Sequence, residues 1–377
     1  MGIFCETVIE TPPSGVFVPG SPVTGFIRYA IPENISVEKI IISLKGRGSV
    51  SIDRDKSMGY YNEEVYVNAA SFVEIDKNAK NYSNDHKFEA HFSFDLPNNI
   101  PSSMKFHESG ASDTIHCFIL YVVKIEFVTS GLMTFNKEFE KEITVVSTDI
   151  TPKLPVKPMI YGERRKVFQP FRRGKSFVKV KAIVQNSVIR PGGKLEIAYE
   201  VDNNTSLDIK SVDARIIETI KFFDSKGILE TERGRKIKEL TFKSGAIKGD
   251  GSFKNTLEID LPPDLYSLEN AKILERCYYC ILTTVLPKFH FNVHVIMPVQ
   301  IGNWLETENV LEEESPIPLS GAFHHDPPPS YWQSLEDLDS LNLNEDSNVK
   351  VDFYDDSDEE NGSKNASQLP STSNGKN

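Results

Sequence analysis

Phe88-Glu89-Ala90-His91-Phe92-Ser93-Phe94-Asp95-Leu96-Pro97 alternates between apolar and polar residues and ends at a proline. A period of two places every second side chain on the same face of a β-strand, so the three phenylalanines are predicted to share a buried face with Ala90 and Leu96. Pro97 lacks a backbone N–H and ends the strand. The stretch therefore predicts a strand with one face in a core.

The same pattern occurs again in the second half of the chain. Phe253, Leu257, Ile259 and Leu261 share one face of a predicted strand, with Asn255 among them, and the strand ends at Pro262. Upstream of each strand, a Pro-Gly turn precedes another alternating segment. Three further apolar positions repeat at the same 172-residue offset as the two turns, and the pairs are Pro19-Gly20 with Pro191-Gly192, Val37 with Ile209, Ile40 with Val212, and Leu44 with Ile216. The chain is therefore predicted to be internally duplicated.

Each half contains seven or eight predicted strands in about 150 residues, which is typical of an immunoglobulin-like β-sandwich. The sequence predicts an all-β protein of two tandem sandwiches, at residues 1–150 and 161–302. A proline-rich linker, residues 151–160, joins them, and its three prolines favour a stiff connection. Residues 303–377 are poor in large apolar side chains and are predicted to form a disordered tail.

The tail carries the acidity of the chain. Residues 303–377 contain 17 acidic residues and three lysines, whereas the other 302 residues contain 37 acidic and 39 basic residues. The net charge of −12 speaks against a nucleic-acid partner. An N-terminus without a signal peptide, together with four cysteines expected to be free thiols, predicts a cytoplasmic protein.

Pro328-Pro329-Ser330-Tyr331 lies within this acidic tail. Consecutive prolines favour a polyproline II helix that docks on the aromatic groove of a WW domain, and the tyrosine fills a neighbouring pocket. Leu335 follows at a spacing of one helical turn and can add apolar contact. The predicted WW-binding residues are Pro328, Pro329, Tyr331 and Leu335.

A basic segment at the start of the second half has two interpretations. Eight basic residues lie within nineteen positions, among them Arg164, Arg165, Lys166, Arg172, Arg173 and Lys175. One interpretation is a solvated edge of the second sandwich. The other is a site for anionic lipid head groups or phosphate groups, to which Arg and Lys donate charge-assisted hydrogen bonds.

No pattern in the sequence predicts catalysis. Cys277 and Cys280 have the spacing of a redox or zinc motif, but in a strand residues three apart point to opposite faces, which favours simple packing. His290 and His294 lack the glutamate that a zinc-protease helix requires. We therefore predict no enzyme activity, no metal and no cofactor.

The order and spacing of these landmarks resemble the arrestin fold, and specifically the α-arrestins, or arrestin domain-containing proteins. The resemblance covers about residues 1–302 and is carried by Val18–Gly25, the two strand ends at Leu96-Pro97 and Leu261-Pro262, Arg190–Gly193 with Val201–Thr205, and Met297–Gly302. Members with PPxY tails often carry two such motifs, and this chain has one. A second motif would add avidity, so a single motif implies a weaker contact with a ligase.

The resemblance implies an adaptor that binds cytosolic regions of transmembrane receptors or transporters. Its tail would recruit HECT-type ubiquitin ligases through their WW domains, so that the cargo is ubiquitinated, endocytosed and sorted at endosomes. Such an adaptor would associate peripherally with the plasma membrane and endosomes. The alternative is a ligase-independent trafficking scaffold similar to the arrestin-like subunit of retromer.

Overall fold

The computed structural model of the chain describes residues 2–32, 35–55, 58–74, 88–110, 112–129, 136–169 and 176–304. Every regular element in these ranges is a β-strand, as the alternating sequence predicts. No helix in the described part of the chain has the length and apolar character needed to cross a bilayer. The strands are β1 (Phe4–Ile9), β2 (Pro22–Ala30), β3 (Val37–Arg54), β4 (Tyr60–Glu74), β5 (Phe88–Asp95), β6 (Met104–Ser109), β7 (Asp113–Thr129), β8 (Lys137–Ile143), β9 (Met159–Lys166), β10 (Phe177–Val184), β11 (Val188–Ile189), β12 (Lys194–Asn204), β13 (Ser211–Phe223), β14 (Leu229–Lys243), β15 (Gly251–Asp260), β16 (Leu274–Val285) and β17 (Val293–Ile301).

The first sandwich packs a three-stranded sheet, in the order β1-β2-β5, against a five-stranded sheet. Four strands of the larger sheet follow the order β4-β3-β7-β6, and the fifth, β8, also pairs with β7. The predicted face of β5 is the core face. Phe92, Phe94 and Leu96 are buried in the core, and Phe88 and Ala90 pack against it. The central strands β3 and β7 bury every second residue over most of their length, so the two sheets enclose an apolar layer.

The second sandwich repeats this arrangement with a four-stranded sheet, β15-β12-β10-β9, and a five-stranded sheet, β11-β17-β16-β13-β14. The predicted duplication is visible in the backbone. Leu96 N–H donates to the carbonyl of Ser21 at 3.1 Å. In the second sandwich, Leu261 N–H donates at 2.9 Å to the carbonyl of Gly193, which lies 172 positions after Ser21. Gly20 and Gly192 have φ of 78° and 76°, the left-handed region in which glycine is favoured at a turn.

The connection between the sandwiches is fastened by side chains as well as stiffened by prolines. The Gln300 amide accepts a hydrogen bond from Lys153 N–H at 2.8 Å and donates to the carbonyl of Thr151 at 2.9 Å. Strand β9 begins at Met159, two residues inside the predicted linker. Asn303, predicted to lie in the tail, forms a parallel bridge with Asp149 and thus extends the folded region.

The two sandwiches share an apolar interface. Ile220, Phe222, Leu268, Ile273 and Leu274 belong to the second sandwich by sequence but are buried in the same apolar cluster as the first. The Phe222 ring, for example, lies 5.5 Å from that of Phe106, centroid to centroid. Because burial of such side chains contributes about 1.5–3 kcal/mol each, the interface stabilises one arrangement of the sandwiches.

Candidate functional site

The basic segment predicted from the sequence falls on an edge strand of the second sandwich. Arg164, Arg165 and Lys166 are the last three residues of β9, which pairs only with β10 in the described structure. The register places Arg164 opposite Lys179, Arg165 opposite Val178, and Lys166 opposite Phe177.

The strand alternation separates these basic side chains into two groups. Val178 and Val180 belong to the core, so the residues paired with them, including Arg165, lie on the sandwich-facing side of the sheet. Arg164 and Lys166 lie on the outer face, where Lys179 of β10 joins them, whereas Lys181 on the same face is buried. We call Arg164, Lys166 and Lys179 the basic outer face.

Contacts with aromatic rings orient the two arginines. The Arg164 guanidinium carbon lies 4.1 Å from the centroid of the Phe177 ring, a cation–π distance, and that of Arg165 lies 6.0 Å from the Phe291 ring. Stacking restricts the orientation of the guanidinium, and the Nε of Arg164 is buried, so only its remaining N–H groups could donate to an anion. Arg172, Arg173 and Lys175 lie outside the described residues.

Acidic side chains of β12 border the basic outer face. Asp202 pairs with Lys179, and Glu200 pairs with Lys181. Lys254 of β15 lies 3.1 Å from the Glu200 carboxylate and offsets that charge. The outer face therefore grades from a basic edge at β9 to mixed charge toward β12, so an anionic ligand is favoured at the edge strand.

The tail residues predicted to bind a WW domain, Pro328, Pro329, Tyr331 and Leu335, lie outside the described residues.

The thiols and histidines singled out in the sequence belong to no metal-binding cluster of three or more such side chains in the described structure. Cys280 is fully buried and burial raises the pKa of its thiol to about 12, while Cys277 is half-buried on the other face of β16 and donates to the carbonyl of Thr219. A thiol with a raised pKa is a poor nucleophile and metal ligand at neutral pH. Across the described residues, no group of three or more His, Cys, Asp and Glu side chains is placed to hold a metal ion.

Charged contacts across the interface between the sandwiches were not predicted from the sequence. Arg54 of β3 donates to Glu230 of β14 at 2.9 Å, and Arg233 of β14 contacts both Asp113 and Glu108. These partners are more than 100 residues apart in the chain, and sequence periodicity carries no signal for such pairs.

Comparison with known families accounts for both sandwiches. Residues 5–150 match the arrestin (or S-antigen) N-terminal domain, and residues 175–304 match the arrestin (or S-antigen) C-terminal domain. This chain belongs to the arrestin family. The predicted tandem sandwich of the arrestin fold is thereby confirmed. A comparison with curated proteins returned no match.

Membership of the arrestin family supports a general role as a trafficking adaptor. Arrestin domains are typically adaptors without enzymatic activity.

Proposed function

We propose that this arrestin-family protein is an α-arrestin-type adaptor. Its sandwiches bind cytosolic regions of a transmembrane receptor or transporter, and its tail binds the WW domain of a HECT-type ubiquitin ligase. Holding both partners on one chain raises the effective concentration of the ligase at the cargo lysines. The cargo is then ubiquitinated, endocytosed and sorted at endosomes.

The observation that carries this proposal is the Pro328-Pro329-Ser330-Tyr331 motif in an acidic tail that follows two arrestin domains. Consecutive prolines lose little conformational entropy on binding because their backbone already favours polyproline II. Pro327 extends the proline run.

Pull-down with purified WW domains tests the ligase contact. Replacing Tyr331 with Ala empties the tyrosine pocket, so recovery should fall at least tenfold. Tyr354, another tyrosine of the same acidic tail, supplies the matched control. Tyr354→Ala should bind like the wild type, and equal recovery of all three proteins would refute the ligase contact.

A cell-based measurement separates the adaptor from its alternative. If the protein is an adaptor for a ligase, ubiquitination of a bound cargo falls with Tyr331→Ala, while cargo binding persists. If cargo ubiquitination and sorting are unchanged by the substitution, the protein is a ligase-independent scaffold. Leu335→Ala should weaken WW binding less than Tyr331→Ala, because Leu335 adds only peripheral apolar contact.

We also propose that the adaptor associates peripherally with the plasma membrane and endosomes through its basic segment. Support comes from the edge position of β9 and from Arg164, Lys166 and Lys179, which lie on one face of the sheet. Anionic head groups would accept charge-assisted hydrogen bonds from them. Arg165, Arg172, Arg173 and Lys175 would add to the attraction at longer range.

A further inference from the structure

Two histidines face each other across neighbouring strands of the first sandwich. His107 of β6 and His116 of β7 are directly opposed in the antiparallel register. Their Nδ1 atoms are 3.1 Å apart and their ring centroids 4.4 Å apart, and both residues are exposed. The pair lies outside the basic segment and the tail, so the membrane and WW-domain contacts proposed above do not use it.

The separation of the two nitrogens matches the bite of a single metal ion. Zinc binds imidazole nitrogen at about 2.0–2.1 Å, so two such ligands at angles between roughly 90° and 110° have nitrogens about 2.9–3.4 Å apart. The observed 3.1 Å lies within this interval. Without a metal, the same distance fits a hydrogen bond between one protonated and one unprotonated ring nitrogen.

We propose that His107 and His116 form a two-histidine binding site for a divalent transition metal ion of the Zn²⁺ and Cu²⁺ type. Imidazole is a preferred ligand of both ions, and the Nδ1 atoms of His107 and His116 are already close enough to bind one ion. Little reorganisation is needed because the antiparallel backbone fixes the two Cβ atoms on one face of the sheet.

The surroundings leave the other coordination positions open. On the neighbouring strand β3, Ser51 is the residue paired with His116. The described residues supply no third histidine, cysteine or carboxylate within the cluster. The neighbouring carboxylates of Glu108 and Asp113 are occupied by Arg233. Solvent therefore completes the coordination sphere in the free protein, and a side chain of a docked protein can replace it.

The position of the pair gives the metal a structural consequence. Strand β6 is only six residues long, lies at the edge of its sheet and, among the described strands, pairs with β7 alone. Glu108 near the end of β6 and Asp113 at the start of β7 hold Arg233 of the second sandwich. A metal ion bridging His107 and His116 would clamp this hairpin next to the interface between the sandwiches.

Isothermal titration with ZnCl₂ in a non-chelating buffer near pH 7.5 tests the site on the full chain. Adjacent His324 and His325, outside the described residues, are first replaced with Gln so that the tail cannot contribute a second two-histidine ligand set. In this background we expect one Zn²⁺ per chain. His116→Gln or His107→Gln should weaken that binding at least tenfold.

His91→Gln is the matched control, because it removes another exposed histidine of the same sandwich that pairs with Glu89 rather than with a second histidine. It should leave the affinity unchanged. The proposal is overturned if His107→Gln and His116→Gln bind Zn²⁺ as the background protein does, or if the background protein binds no Zn²⁺.

Nitrogen NMR of ¹⁵N-histidine-labelled background protein gives a readout that does not depend on the variants. Zn²⁺ should shift the Nδ1 resonances of two histidines together, at one equivalent, with Nε2 remaining protonated. Shifts confined to other histidines, or loss of the proton from Nε2 of the two histidines, would contradict the proposed ligand set. Far-ultraviolet circular dichroism of each variant reports whether it is folded.

Discussion

Arg233 on the second sandwich binds Asp113 on the first. Its Nη2 donates to the Asp113 carboxylate, and its Nε lies 3.0 Å from the carboxylate of Glu108. The side chains of Arg233 and Asp113 are 23% and 15% exposed, so water screens this pair only partly. One guanidinium therefore compensates two carboxylates at the interface between the sandwiches.

Replacing Arg233 with Ala should destabilise the protein by about 1–3 kcal/mol, between the typical values for exposed and buried ion pairs. The loss leaves Asp113 partly buried without its cation. Urea unfolding of Arg233→Ala, Asp113→Asn and the double variant measures the coupling energy.

Lys194→Ala is the control for this cycle, because Lys194 pairs with Glu258 and both residues lie on the exposed surface of the second sandwich, away from the interface. It should change the free energy of unfolding much less than Arg233→Ala does, because solvent screens an exposed ion pair. If Arg233→Ala and Asp113→Asn add without coupling, the contact does not stabilise the interface.

Gly46 in β3 provides a test of the packing in the first sandwich. A Cβ atom at this position would lie 2.5 Å from the ring of Tyr121, a fully buried side chain whose hydroxyl donates to the carbonyl of Pro101. Because the ring is held at both ends, Gly46→Ala should cost about 1–3 kcal/mol of stability through overpacking.

Gly234→Ala is the matched substitution, since the added methyl would meet only Ile217, at an ordinary 3.7 Å. Thermal unfolding of the two variants should show a drop in Tm for Gly46→Ala and little change for Gly234→Ala. Equal Tm values for Gly46→Ala and the wild type would show that Tyr121 can move aside.

The sequence predicted the strands well because burial of one strand face depends on local alternation. The faces of β5 and β15 and the pairing of Leu96 and Leu261 with their Pro-Gly turns follow from a period of two and a fixed offset. The end of the second sandwich was placed less accurately. Asn303 bridges Asp149, and a contact between residues so far apart in the chain has no local pattern.

The candidate site was predicted as a set of basic residues but not as a surface. The basic residues were evident in the sequence. That Arg164 and Arg165 lie on opposite faces of the sheet was not, because it depends on which residues of β10 face the core. The His107–His116 pair was missed altogether. Its nine-residue separation becomes a contact only once the β6–β7 turn sets the register.

Buried thiols predict a loss of stability at alkaline pH. Burial raises the pKa of Cys117 and of Cys280 to about 12, from an ordinary value of 9.0. The unfolded chain therefore releases these protons first, and the stabilisation that is complete below pH 9 declines as the pH rises toward 12. Each thiol contributes a slope of up to about 1.4 kcal/mol per pH unit.

Urea unfolding of the wild type between pH 8 and 9 measures the onset of this slope, below the pKa of about 10 at which tyrosines ionise in the unfolded chain. The Cys117→Ala, Cys280→Ala double variant should be less stable at pH 8 because of the cavities, yet lose stability less steeply with pH. Parallel profiles for the two proteins would show that the thiols are not the titrating groups.

The basic outer face predicts binding to anionic membranes. Each Lys or Arg near an anionic surface contributes about 1 kcal/mol, so reversing both Arg164 and Lys166 to Glu should weaken binding by more than about thirtyfold. Co-sedimentation with vesicles containing phosphatidylserine measures the effect at about 0.1 M salt, and binding of the wild type should fall as salt is added. Vesicles of phosphatidylcholine alone should bind neither protein.

The double variant Lys194→Glu, Lys248→Glu makes the same change in net charge at exposed positions elsewhere on the second sandwich. Vesicle binding that survives in this control but is lost in Arg164→Glu, Lys166→Glu places the membrane contact on the outer face of β9. An equal loss in both proteins would mean that net charge alone governs binding. Arg172→Glu, Arg173→Glu then tests whether the adjoining basic residues extend the same contact, in which case its loss should be comparable.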